Sequence, residues 1–154
     1  MSLEFVGIDP ATEKDKCPTV WNDDEVREFV LQGWKAGAEL LAKCLDAGSV
    51  PDVEAVIRMP YRMCAILGEA CTRAAAFGTA SVTAEATLRV WNDEEAQEFI
   101  FQGWTAGEEL LAKCLEAGSI PDYEAVIRLP YRMMSTIRKA CERAERAGVL
   151  GTAG

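Results

Sequence analysis

The sequence predicts an all-α, four-helix-bundle-like domain made of two tandem-duplicated helical hairpins about a pseudo-twofold axis. Three observations carry this expectation. One segment occurs twice, apolar residues within each copy recur at helical spacing, and glycine and proline punctuate each copy into two stretches.

The duplication is plain once residues 20–74 are set above residues 90–144 without gaps. Of the 55 aligned positions, 37 are identical, including Val20-Trp21-Asn22-Asp23 with Val90-Trp91-Asn92-Asp93 and Pro60-Tyr61-Arg62-Met63 with Pro130-Tyr131-Arg132-Met133. Two copies are too few for a solenoid, so the expected product is a pair of units burying each other's apolar faces. At 154 residues the chain suits one core better than two. The expected organisation is a single domain over 1–154, with a tail at 1–19, repeat 1 at 20–77, a linker at 78–89 and repeat 2 at 90–148.

Within each repeat the punctuation implies a helix pair. Asn22 is placed to cap a first helix, Glu25 to complete a capping box, and Trp21 to staple against Val26. That helix is expected to run to Ala47 and stop at Gly48. Ser49, Pro51 and Asp52 then open a second helix reaching about Ala76. Pro60 and Pro130 fall inside it, where proline costs about 3 kcal/mol in a regular helix, so a kink is expected at each. Outside the repeats, Val82 to Val90 alternate with polar residues in a period of two, and Leu3-Glu4-Phe5-Val6 is a candidate partner for a small β-ribbon; a helical turn starting near Thr83 is the alternative.

Wound at about 100° per residue, the first helix would present three faces. Val26, Val30, Gly33, Gly37, Leu40 and Cys44 form an apolar face. Its paired glycines, matched by Gly103 and Gly107, imply a close helix crossing or a central groove flanked by Trp34 and Trp104 for a flat apolar or cationic molecule. A polar face is unchanged between copies: Glu25, Glu28, Gln32, Glu39 and Lys43, with Glu95, Glu98, Gln102, Glu109 and Lys113. Ion pairing, extended by arginines of the neighbouring repeat, explains such identity. A symmetric carboxylate–amide site of Glu28, Glu98, Gln32 and Gln102 is the sharper alternative. The third face varies, and its bulky Leu31 and Phe101 mark a candidate patch for self-association or a protein partner.

The second stretch carries Arg58, Tyr61 and Arg62, answered by Arg128, Tyr131 and Arg132. Guanidinium forks beside a phenol grip carboxylate or phosphate well, so both clusters are candidates for binding an acidic partner. Glu54, four residues before Arg58, offers a local partner instead. Cys44, Cys114, Cys71 and Cys141 fall on apolar faces, Cys64 is replaced by Met134, and Cys17 is the expected exposed thiol.

Composition narrows the chemistry. The chain has no histidine, which excludes histidine-dependent triads and histidine-ligated metals within one chain, and no cofactor or metal is expected. A net charge of −9 argues against direct nucleic-acid binding and suits a basic protein or cationic ligand. No window approaches the roughly 18 apolar residues of a membrane helix, and six cysteines without an export signal read as reduced thiols in a cytoplasm. The sequence thus favours a non-enzymatic helical binding or interaction protein that uses the Arg/Tyr clusters or the Gly/Trp groove. The alternatives are a small-molecule-binding protein or enzyme with its pocket on the pseudo-twofold axis, and an acidic decoy of a nucleic-acid-binding protein.

Overall fold

In the computed structural model, which describes residues 3–9, 18–77, 88–116 and 120–146, the chain after Asn22 enters a β-hairpin and not a helix. Strand β1 spans Leu3–Ile8, β2 Thr19–Asp23 and β3 Glu28–Lys35. Helix α1 covers Ala38–Ala47, β4 Glu54–Pro60, and α2 Cys64–Phe77 after a 3-10 turn at Tyr61–Met63. Repeat 2 follows the same order: β5 Arg89–Asp93, β6 Glu98–Thr105, α3 Glu108–Leu115, β7 Glu124–Pro130, a 3-10 turn at Tyr131–Met133, and α4 Met134–Arg146. The all-α bundle is therefore overturned. Among the described residues the fold is mixed, with seven antiparallel strands in one sheet and four helices.

The reasons lie in the residues that misled. Phe29 to Gly33 are buried on both faces of β3, so the strand reads as a continuous apolar run and shows no alternation. Gly33 is a strand residue at a close approach: a Cβ there would lie 2.6 Å from the carbonyl oxygen of Arg58, and at Gly103 2.7 Å from that of Arg128. The two glycines do not cross on each other. Pro60 and Pro130 kink no helix. Each ends a β-branched strand and opens a 3-10 turn, since the residue before proline avoids helical backbone. Asn22 and Trp21 do not cap or staple a helix. They lie in β2, and the hairpin turns through Arg27 in the left-handed region (φ 59°), as Gln97 does in repeat 2. The carbonyl of Arg27 accepts the amide of Tyr131, and that of Gln97 the amide of Tyr61, so each turn is held by the other repeat.

Sheet pairing interleaves the repeats. β3 pairs with β7 from Glu28–Pro130 to Trp34–Glu124, and β4 with β6 from Glu54–Trp104 to Pro60–Glu98. Within a repeat, β3 meets β4 only at Trp34–Arg58 and Lys35–Ile57, and β6 meets β7 only at Trp104–Arg128 and Thr105–Ile127. These short contacts close β3, β7, β6 and β4 into a ring at one end. Outside it, β2 lies on β3, β5 on β6, and β1 on β2. β1 is real, but its partner is β2. The linker strand expected near Val82 falls outside the described residues.

Helices α2 and α4 pack on one face over Phe29, Leu31, Ile57, Met59, Phe99, Phe101, Ile127 and Leu129. Leu31 and Phe101 are thus core residues with 0% exposure, and neither forms a surface patch. α3 covers the opposite face through Leu110 and Cys114 against Trp21, Val30 and Val126, while α1 places Cys44 on Val56 and Ile100. Each of these helices covers strands of both repeats. No helix among the described residues is long and apolar enough to cross a membrane.

Candidate interaction groove

The polar residues singled out in the sequence serve mostly to stitch the repeats. Glu28 pairs with Arg128 at 3.2 Å, and Glu98 with Arg58 at 3.2 Å. Burial raises the Glu28 carboxyl above its ordinary pKa despite that partner. Gln32 donates to Glu124, and Gln102 to Glu54. The expected carboxylate–amide quartet is therefore split among separate partners.

Trp34 and Trp104 do not flank a slot. Each indole lies against a guanidinium of its own repeat, Arg58 at 5.4 Å and Arg128 at 5.2 Å from the ring centre. The Arg/Tyr clusters are likewise dispersed. Tyr61 is buried and accepts from Asn92, while Tyr131 accepts from Asn22 and donates to Asp24 at 2.6 Å. Burial raises both phenols above their ordinary pKa. Arg62 forks onto the buried Asp9 at 2.7 and 2.8 Å, and Arg132 is half-buried and also engaged.

What remains open is a difference between twins. β2 and β5 have nearly the same sequence and the same place beside β3 and β6. Every residue of β2 is buried, whereas every residue of β5 is half-exposed. The cause is β1: it pairs antiparallel along the outer edge of β2, with Leu3 opposite Asp23 and Phe5 opposite Trp21, and Leu3 packs onto the Trp21–Val30–Leu110 cluster. Arg62 and Asp9 anchor its far end. The duplication does not supply β5 with such a strand. The residues seventy positions after Leu3–Ile8 are Arg73–Gly78, and Arg73 to Phe77 belong to α2. Among the described residues, β5 pairs only with β6, and its outer main-chain edge has no strand against it.

Beside that edge runs an open groove of about 890 Å³. Its floor is Trp91, Ile100 and Cys44, its wall is Gly37 with Leu40 and Lys43 of α1, and its rim is Asp93, Glu94, Glu95, Glu98 and Glu39. The site lies beside β5, off the pseudo-twofold axis. Arg58 and Glu98 reach it from the sequence-predicted set; the other ten predicted residues are not among those lining it. Burial pushes the Cys44 thiol pKa up, so at neutral pH it is a packing group and not a nucleophile. Cys114, its twin, is pushed up to about 12. Cys17 lies outside the described residues.

Trp91, Leu40 and the acidic turn were missed because they match their twins in the sequence. The usable signal was positional: the strand-like Leu3–Val6 lies outside the duplicated segment, so the duplication does not require the two copies to be covered alike. No protein-family model, curated protein or solved structure matches the chain.

Proposed function

We propose that this chain is a non-catalytic protein-interaction module that captures an extended segment of a partner as an added strand on β5. One observation carries the reading: the fold performs this operation on itself at β2, where β1 supplies main-chain bonds along the edge and Leu3 fills the cleft. Among the described residues the twin edge and cleft are left open. Strand addition draws affinity from main-chain hydrogen bonds and specificity from pockets for alternate side chains. An exposed sheet edge is a liability unless it is covered or used.

The test is amide exchange across Arg89–Asp93 with and without a synthetic peptide copying Leu3–Ile8. Slowed exchange confined to β5 and the α1 wall supports capture. Unchanged exchange at millimolar peptide overturns it.

A further inference from the structure

Resting on the strand-capture reading, we propose that the captured segment is basic, with lysine or arginine at the two positions before an apolar anchor residue. The duplication transfers the register. Leu3 lies opposite Asp23, so the anchor lies opposite Asp93 and faces Trp91, Ile100 and Leu40, the counterparts of the Trp21, Val30 and Leu110 that receive Leu3.

The direction of β1 then places the residues before the anchor beside the turn that follows Asp93. That turn carries Glu94 and Glu95, and Glu39 faces it from the start of α1. Glu98 is held by Arg58 and Glu94 by Arg143, the latter pair largely exposed at 3.6 Å. Asp93 accepts the amide of Ala96. Against five rim carboxylates the groove offers two cations, Lys43 and Arg58. An acidic flank would be repelled there, and a basic flank attracted. The residue after the anchor lies opposite Asn92 on the α4 side, near Arg143, as Glu4 lies near Arg73 at 3.4 Å, so a carboxylate fits that one position.

A second copy of this chain suits the groove less well. Its own leading strand is preceded by Met1-Ser2, with no basic side chain, and each copy carries a net charge of −9.

The experiment uses the full chain and labelled synthetic peptides. Lys-Lys-Leu-Glu-Phe-Val-Gly is compared with Glu-Glu-Leu-Glu-Phe-Val-Gly, and each with a form N-methylated along its backbone. The expected result is saturable binding of the lysine peptide, weakened about tenfold or more by the glutamate flank and by added salt, and abolished by N-methylation. In the Glu39→Lys/Glu95→Lys variant, changed only at exposed positions, the preference should invert. Equal affinity for both flanks, with N-methylated forms inert, overturns the basic partner and leaves strand capture standing. Failure of every unmethylated peptide overturns both. Concentration-dependent dimerisation in sedimentation that the lysine peptide reverses makes a second copy the occupant, and the inference fails.

Discussion

Gln32 donates its side-chain amide to the carboxylate of Glu124 at 2.7 Å, joining two buried residues 92 positions apart. Gln102 and Glu54 repeat the bond from the other side. A buried carboxylate that loses its donor keeps its desolvation penalty, so Gln32→Ala should cost about 2–4 kcal/mol. Glu124→Gln, which keeps a hydrogen-bonding pair, should cost less than half of that. Urea unfolding of the two variants checks the order; equal losses would assign the effect to packing.

The two glycines of each Gly-x-x-x-Gly pattern should respond oppositely to a methyl group. At Gly33 the new Cβ would meet the Arg58 carbonyl at 2.6 Å, while at Gly37 nothing lies within 4 Å and the backbone is extended (φ −78°). Gly33→Ala should destabilise by about 1–3 kcal/mol, and Gly37→Ala by no more than about 0.5 kcal/mol. Thermal unfolding distinguishes them, and a similar shift in both would show that the close approach is readily relaxed.

Alkaline pH should loosen the fold from about pH 9. Burial raises the Cys71 thiol to about 11 and the Cys114 thiol to about 12, against 9.0 when unburied. Above pH 9 the unfolded chain therefore loses these protons while the folded chain retains them. The stabilisation is whole below pH 9 and is lost as pH rises toward 11 and 12. Cys114→Ala should flatten the fall in unfolding free energy over that interval by on the order of 1–2 kcal/mol. An unchanged slope would place the alkaline sensitivity elsewhere.

Removing the residues before Asp9 should uncover the edge of β2 and the cleft that Leu3 fills. If β1 and a captured peptide are equivalent, the truncated chain takes up a second equivalent of the lysine peptide, readable by calorimetric stoichiometry. Asp9 and its bond to Arg62 remain. One equivalent, on a chain whose circular dichroism is unaltered, would show that the two edges differ in more than occupancy.

The sequence made the duplication legible, together with punctuation that survived translation into structure: α1 ends at Ala47 before Gly48, and α2 ends at Phe77. The strands were hidden for a physical reason. β3 and β4 are covered on both faces, by α2 and α4 on one side and by α1 and α3 on the other, so polar and apolar residues do not alternate. Val26, Val30, Gly33 and Gly37 then match a helical period by accident. The cost of mid-helix glycine and of internal Pro60 was the counter-signal, and it was sound. The groove was illegible from either repeat alone, because Trp21 and Trp91 differ only in what lies over them.

The pairing of β3 with β7 and of β4 with β6 has a consequence for how the chain comes into being. As synthesis proceeds, β3 is finished about a hundred residues before the strand that completes its hydrogen bonds, so repeat 1 emerges with bare edges and cannot settle by itself. Acquisition of the native state should therefore be slow, gated by arrival of β7. A gene encoding one repeat alone would be expected to reach this architecture only by joining two polypeptides into a homodimer.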